Sequence, residues 1–160
     1  MKNSSFLLTL LCAFLISGCS LGDCLTGEGE IVIEEIEVDE FTSIELEGSI
    51  DVTIKQGVKQ GVSVTGYENI IPHVSASVDK TVLTIDLKDG CYRNTKLEAV
   101  ITATGLLSVN TNGSGDLVIE SATGSGSFVL TSNGSGDIEF YDLLNVDELE
   151  VTMRGSGDIE

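Results

Sequence analysis

Residues 112–132 read NGSGDLVIESATGSGSFVLTS, and residues 133–153 read NGSGDIEFYDLLNVDELEVTM. Both stretches contain the tetrapeptide Gly-Ser-Gly-Asp, which begins at Gly113 and Gly134 and returns at Gly155, so its copies lie 21 residues apart. A fixed spacing of this length is typical of solenoid proteins, in which each repeat forms one coil that stacks on its neighbour. The sequence therefore predicts a β-solenoid with 21-residue coils in the C-terminal part of the chain.

The apolar residues of these repeats fall into two columns that lie two residues apart along the chain. The columns are Leu107, Phe128 and Leu149, and Val109, Leu130 and Val151. Apolar residues at every second position are typical of β-strands with one buried face. The pairs Asn112-Gly113 and Asn133-Gly134 stand where the chain must bend, and their tolerance of positive φ predicts tight turns there. We therefore expect each coil to bury its columns and to turn at its Asn-Gly pair.

The chain before the repeats is also predicted to consist of strands. Residues 51–55 and 82–87 alternate apolar and polar side chains, and short apolar runs separated by turn residues fill most of residues 27–109. Residues 28–40 combine acids with isoleucines in a way that also fits a helix, but the β-branched residues among them favour a strand. We predict a single all-β domain.

Residues 1–18 have the pattern of a secretory signal peptide. Lys2 precedes an apolar run at residues 6–16, which is shorter than the roughly 20 residues that a membrane-spanning helix needs. Residues 15–19, Leu-Ile-Ser-Gly-Cys, resemble a bacterial lipobox, which predicts lipidation of Cys19 and a lipid-anchored tether at residues 19–26. Ser20 after that cysteine favours sorting to the outer membrane. Ordinary secretory cleavage is the alternative.

The charge of the chain limits its partners. It carries 26 acidic and 8 basic residues, for a net charge of −18. Such a surface repels nucleic acid and anionic lipid headgroups, so we expect no nucleic-acid partner. It is compatible with cations, basic proteins and neutral glycans, and it also serves simply to keep a β-protein soluble.

The cysteines suggest one disulfide. Of the four, Cys12 lies in the signal peptide and Cys19 is the predicted lipid site, which leaves Cys24 and Cys91. Two cysteines in an exported domain favour a disulfide between them. Two free thiols are one alternative, and a zinc site with His73, the only histidine, is another.

The aspartates of the repeats raise the question of calcium. In the repeat alignment Asp116, Asp137 and Asp158 share a column, so stacking places their carboxylates about 5 Å apart. Such a ladder of like charges is either solvated, with each aspartate in an ordinary Asx turn, or bridged by a divalent cation. The spacing differs from that of calcium-binding nonapeptide repeats. We expect no cofactor and keep calcium as the alternative.

Taken together, these motifs resemble the head GIN domain family of auto-transporter adhesins, which is common among exported proteins of Bacteroidetes. The motifs that carry the resemblance are the lipobox, Gly27-Glu28-Gly29, Phe41-Thr42-Ser43-Ile44, Val52-Thr53-Ile54-Lys55-Gln56-Gly57, Asn69-Ile70-Ile71, Leu83-Thr84-Ile85 and the Gly-Ser-Gly-Asp coils. The resemblance covers the chain from Cys24 onward. It implies a single-stranded, right-handed β-helix-like solenoid at residues 27–160 that is exported and has no known catalytic residues.

Members of this family usually continue with further coils, whereas this sequence stops at Asp158-Ile159-Glu160, inside a repeat. We therefore expect the domain to be truncated at its C-terminus. An uncapped coil exposes strand edges and apolar columns, which predicts association between copies of the chain.

Three functions fit these observations. The first is a non-catalytic lipoprotein of the cell envelope, exposed at the cell surface, that binds an unknown protein or glycan. Its ligand face is expected at Thr111, Asn112, Ser132 and Asn133, whose uncharged side chains offer hydrogen bonds. The second is a structural envelope scaffold that self-associates. The third is a carbohydrate-active enzyme, which the scarcity of basic residues and the single histidine disfavour, so we expect no enzymatic activity.

Overall fold

The computed structural model describes residues 24–160, and within them the chain is built almost entirely of strands. The strands are β1 (Leu25–Thr26), β2 (Ile31–Ile36), β3 (Ser43–Gly48), β4 (Asp51–Gln56), β5 (Gly61–Tyr67), β6 (Val74–Asp79), β7 (Val82–Leu87), β8 (Tyr92–Arg93), β9 (Glu98–Ala103), β10 (Ser108–Gly113), β11 (Leu117–Ile119), β12 (Ala122–Ser132), β13 (Ile138–Phe140) and β14 (Leu143–Met153). One 3₁₀ turn, Ile71–His73, interrupts them. The prediction of an all-β protein is confirmed.

The strands form two large sheets and one small one. The first, called sheet I here, has the order β14-β12-β10-β3-β7-β6, and the second, sheet II, has the order β13-β11-β4-β9-β5-β2. Inward-facing side chains of both large sheets form one hydrophobic cluster. The sheets are curled, like half of a barrel. Strands β1 and β8 pair separately in parallel.

The 21-residue spacing recurs in the pairing of the C-terminal strands. Strand β10 pairs in parallel with β12, with Val109 opposite Leu130, and β12 pairs with β14, with Leu130 opposite Val151. On the other sheet β11 pairs in parallel with β13, with Leu117 opposite Ile138. Corresponding residues of successive repeats therefore lie side by side, so one apolar position in the repeat becomes a continuous apolar column.

Three members of the predicted columns are buried and three are exposed. Phe128, Leu130 and Val109 are buried, but Leu149 is 47% exposed and Val151 is 39% exposed because β14 is the edge strand of sheet I. The prediction for Leu107 is wrong, since its side chain is 43% exposed. Leu107 precedes the first residue of β10, and its neighbour Leu106 fills the interior instead.

The glycines of the repeats have a different role from the one predicted. Positive φ angles occur, among the described residues, at Gly29, Gly48, Gly126, Lys80, Asn94, Lys96 and Asn145, and Gly113 and Gly134 are not among them. A Cβ on Gly134 would instead collide with the backbone carbonyl of Gly113, and one on Gly113 would collide with that of Gly48. Glycine is required there because the backbones of successive repeats approach closely.

The N-terminal strands are organised differently. Strand β5 pairs antiparallel with both β2 and β9, and β6 pairs antiparallel with β7. The ambiguous residues 28–40 contain strand β2, as predicted. Strands β3 and β4 nevertheless stack in parallel under β10 and β11, with Ile44 opposite Val109 and Val52 opposite Leu117. They form the layer on which the repeats are built.

Candidate binding face

The outer surface of sheet I carries a row of small polar side chains that crosses all six of its strands. The members of the row, in strand order from β6 to β14, are Ser77, Thr84, Glu45, Asn110, Thr131 and Thr152, each directly paired with the next. Because side chains alternate between the two faces of a strand, the buried residues beside them point the opposite way. We call this row and its outer neighbours the polar face.

Hydrogen bonds between strands fix the polar face. The Asn112 Nδ2 donates to Glu47 Oε1 at 2.7 Å, and Asn133 Nδ2 donates to Asn112 Oδ1 at 2.9 Å. In the neighbouring row the Ser108 hydroxyl bonds to the Ser43 hydroxyl at 3.0 Å. Side chains that are already oriented by such bonds lose less conformational entropy when they bind a ligand.

Two of the four predicted ligand residues lie on the wrong side of the sheet. Thr111 is 7% exposed and Ser132 is 1% exposed, so both side chains point into the interior. Asn112 and Asn133 are accessible on the polar face. The prediction treated adjacent residues as neighbours on one surface, whereas a step of one residue along a strand changes the face.

The three predicted calcium ligands form a ladder in which the carboxylates of Asp116 and Asp137 each accept the backbone amide of the next aspartate. The Asp137 amide donates to Asp116 Oδ1 at 2.9 Å, and the Asp158 amide donates to Asp137 Oδ1 at 2.8 Å. This bonding between repeats differs from the local Asx turn that was the expected alternative to calcium. Among residues 24–160, no three histidine, cysteine, aspartate or glutamate side chains are grouped so that they would hold a metal ion.

Sequence reasoning missed the first member of this ladder. The Asp116 amide donates to Asp51 Oδ1 at 3.0 Å. Asp51 therefore accepts the amide of Asp116 in the same way as Asp116 accepts the amide of Asp137. Asp51 ends the tetrapeptide Gly48-Ser49-Ile50-Asp51, a degenerate copy of Gly-Ser-Gly-Asp that lies 65 residues before the copy at Gly113. The insertion of β5 to β9 between the two copies hides the relation from a search at constant spacing.

The remaining predicted sites lie apart from the polar face. Cys24 and Cys91 are joined in a disulfide, with Cα atoms 4.5 Å apart. His73 packs its ring edge against Tyr92, with ring centroids 5.7 Å apart. The predicted signal peptide and Cys19 lie outside the described residues. Among the residues from Cys24 to Glu160, no helix has the length and apolar character to cross a membrane.

One tyrosine has a perturbed acidity. The Tyr141 hydroxyl donates to Glu139 Oε2 at 2.9 Å. This hydrogen bond and the negative charge of Glu139 raise the pKa of Tyr141 above its usual value. The side chain is 71% exposed at the start of the connection from β13 to β14, so it belongs to the surface of the C-terminal repeats and not to the polar face.

The chain matches a known protein family over most of its length. A family model described as "Putative auto-transporter adhesin, head GIN domain" matches residues 40–160, and the chain belongs to this family. An adhesin family of this kind indicates a protein of the cell surface or envelope. No curated protein matches the chain.

Several solved structures share the fold. A "putative lipid binding protein" from Parabacteroides distasonis superposes with a TM-score of 0.62 at 22% identity, over 82% of this chain and 65% of that one. A "putative adhesin" from the same organism gives a TM-score of 0.61 at 24% identity, over 86% of this chain and 67% of that one. A "putative adhesin" from Bacteroides fragilis gives 0.55 at 14% identity, over 84% and 98%. The chain thus spans about two thirds of the first two proteins.

Proposed function

We propose that this protein is a non-catalytic adhesin of the cell envelope that binds a neutral glycan through its polar face. The observation that carries the proposal is the row of paired side chains from Ser77 to Thr152. Five of its six members are uncharged, although the chain contains 26 acidic residues. Hydroxyl and amide groups both donate and accept hydrogen bonds, as the hydroxyls of a sugar require.

The geometry of the row suits an extended polymer. Neighbouring strands are about 4.8 Å apart, so a chain that lies across the strands meets a hydrogen-bonding side chain at each step. Because Asn112 and Asn133 are held by interstrand hydrogen bonds, the surface beside the row is also ordered before binding. A regular row of this kind binds through many modest contacts and not through one deep pocket.

The proposal includes a location. We propose cleavage after residue 18, lipidation of Cys19 and attachment to the outer membrane with the domain exposed at the surface, supported by the lipobox-like sequence and by the adhesin family. Replacing Cys19 with serine is expected to move the protein from the membrane fraction to the soluble fraction. Unchanged membrane association of this variant would contradict the anchor.

Binding is tested with the Cys19→Ser protein on an array of neutral glycans, with basic proteins as a second class of ligand. In the double variant Asn110→Ala/Thr131→Ala, binding should weaken by about tenfold or more, because each lost hydrogen bond contributes roughly 1 kcal/mol. The matched control is Thr53→Ala/Thr65→Ala, which changes two polar residues on the outer surface of sheet II. Equal losses in both variants, or binding to a basic protein alone, would contradict a glycan site on the polar face.

We also propose that β10 to β14 are coils of a right-handed β-helix-like solenoid. The parallel register at 21-residue intervals supports this architecture. A second copy of residues 112–132, inserted after Ser132, should then add one coil and leave the protein folded. Loss of the cooperative unfolding transition on insertion would argue against a solenoid.

A structural scaffold is the second candidate, and β14 favours it. This edge strand exposes Leu144, Leu149 and Val151, which a second copy of the chain would cover. Sedimentation velocity of the Cys19→Ser protein should then show a dimer that Leu149→Glu disrupts. A monomer at all concentrations would remove this candidate and leave the adhesin proposal unaffected.

A further inference from the structure

A groove on the outer surface of sheet II, distant from the polar face, brings opposite charges together without pairing them. It has a volume of about 660 Å³, and residues 35–38, at the end of β2 and just beyond it, line one side. Its walls carry Lys55 and Lys59 together with Glu35 and Glu37. Only seven of the described residues are lysine or arginine, so two lysines in one groove stand out against an acidic surface.

The strand order separates the two kinds of charge. Lys55 lies on β4 and Glu35 lies on β2, and β9 and β5 stand between them. Three strand spacings amount to about 14 Å between the backbones of β4 and β2. None of the four charged side chains lies within 4.0 Å of an opposite partner among residues 24–160. Lys55 and Glu35 therefore lie on opposite sides of the groove, and Lys59 lies in the connection from β4 to β5.

The floor of the groove carries two hydroxyl groups and is unobstructed. It consists of Gly61 and Ser63 of β5 and of Val100 and Thr102 of β9. A Cβ built on Gly61 would meet no atom within 4 Å, so the space above the floor is open. The hydroxyls of Ser63 and Thr102 can each donate one hydrogen bond to a ligand that lies on the floor.

We propose that this groove binds a small zwitterion, with its anionic group toward Lys55 and Lys59 and its ammonium group toward Glu35 and Glu37. A ligand with a single charge satisfies one wall and is repelled by the other. A ligand with both charges satisfies both walls at once, and the hydroxyl of Thr102, which is paired with Lys55, can donate to its anion. The volume lies within the range of ordinary small-molecule sites.

The test compares three probes by isothermal titration calorimetry with the Cys19→Ser protein. Phosphoethanolamine carries both charges, inorganic phosphate carries only the anion, and ethanolamine carries only the cation. We expect saturable binding of phosphoethanolamine and at least about tenfold weaker binding of each single-charge probe, as expected for the loss of a charged hydrogen-bonding group. Phosphate binding as tight as that of phosphoethanolamine would overturn the proposal, and so would the absence of saturable phosphoethanolamine binding.

Three variants and one control variant locate the site. Lys55→Gln and Glu37→Gln should each weaken phosphoethanolamine binding by about fivefold or more, whereas Lys88→Gln, at an exposed lysine outside the groove, should not change it. Gly61→Leu should abolish binding by filling the groove without removing a charge, and circular dichroism checks that it remains folded. Unchanged binding in Gly61→Leu would overturn the assignment of the site.

The zwitterion could be a free metabolite or a lipid headgroup, and vesicles of phosphatidylethanolamine distinguish the two sources. Co-sedimentation with these vesicles, lost in Gly61→Leu, would identify a membrane-borne headgroup. Binding of soluble phosphoethanolamine without co-sedimentation would identify a free small molecule. Co-sedimentation that persists in Gly61→Leu would be unrelated to the groove and would count against a headgroup site there.

Discussion

The C-terminal repeats and the N-terminal strands bury similar apolar side chains but are held in place by different means. In the repeats, β10, β12 and β14 follow one another at a constant register, and contact between backbones depends on glycine at two positions of every Gly-Ser-Gly-Asp segment. In the N-terminal region parallel and antiparallel pairs are mixed, since β5 pairs antiparallel with β2 and β9 whereas β3 pairs in parallel with β7. A disulfide joins the beginning of the described chain to the segment before β8. The repeats are held together by the same residues at the same positions in successive repeats. The N-terminal region is held together by contacts between residues that are far apart in the sequence.

The largest expected effect comes from breaking the close contact between coils. In Gly134→Ala the new methyl group would collide with the Gly113 carbonyl, which belongs to rigid backbone. We expect a loss of more than about 4 kcal/mol in the free energy of unfolding, in the range of severe packing defects. Urea denaturation measures it.

Gly61→Ala is the matched control, because a Cβ at Gly61 meets nothing within 4 Å. Its effect should stay within about 0.5 kcal/mol of the original protein. If both alanine variants unfold at the same urea concentration, close backbone stacking is not what the repeat glycines provide.

The next largest effect should come from the disulfide. Replacing both Cys24 and Cys91 with serine opens a loop that spans 67 residues, which in the chain-entropy model costs about 4 kcal/mol. Most of this loss arises in the unfolded state, so the repeats should keep their native pairing. Hydrogen exchange tests whether the repeats keep their pairing, by comparing the protection of backbone amides in β12 with that in β5.

The expected pattern is a global loss of protection with the order of the strands unchanged. Selective loss of protection in β12 would mean that the disulfide supports the repeats directly. The comparison between the two regions would then have to be abandoned.

Alternation of apolar and polar residues predicted strands throughout the chain, but the pairing of strands could be predicted only where the sequence repeats. The columns of Phe128 and Leu130 identified strands and core because each position appears in more than one coil. Gly48 to Asp51 escaped notice because β5 to β9 intervene between this copy and the next, and long-range pairing leaves no periodic signal. The groove was equally hidden, since Lys55 and Glu35 become opposite walls only through the order of sheet II.

To predict which residues form a binding surface, one must know which face of each strand points outward and not only where the strands lie. Thr111 and Ser132 were predicted as ligand residues on the correct strands, but they lie on the inner face. Their neighbours Asn110 and Thr131 occupy the outer face. Where polar residues follow one another, as from Asn110 to Asn112, alternation of hydropathy cannot tell which of them points outward.

The third effect distinguishes the inner strand β12 from the edge strand β14. Leu130 is fully buried, whereas its counterpart Val151 is 39% exposed. We expect Leu130→Ala to cost about 3 kcal/mol through lost burial and the cavity it leaves. Val151→Ala should cost less than about 1 kcal/mol, because its environment already includes solvent.

Both values are read from urea denaturation curves. Equal losses in the two variants would show that β14 is covered in solution, as the self-association candidate requires. Repeating the measurement at tenfold lower protein concentration separates that cause from an intrinsic contribution, since coverage by a second copy depends on concentration.

The smallest effect concerns the aspartate ladder. Asp137 accepts the amide of Asp158, so Asp137→Ala removes a hydrogen bond between repeats and should cost about 1 kcal/mol. Asp158 accepts no such amide among the described residues, and Asp158→Ala should be nearly neutral. Asp137→Asn keeps an acceptor oxygen and should recover most of the loss.

Added calcium distinguishes a hydrogen-bonding ladder from a cation site. If millimolar calcium raises the melting temperature of the original protein but not that of Asp137→Ala, the carboxylates bind the ion and the ladder has a second role.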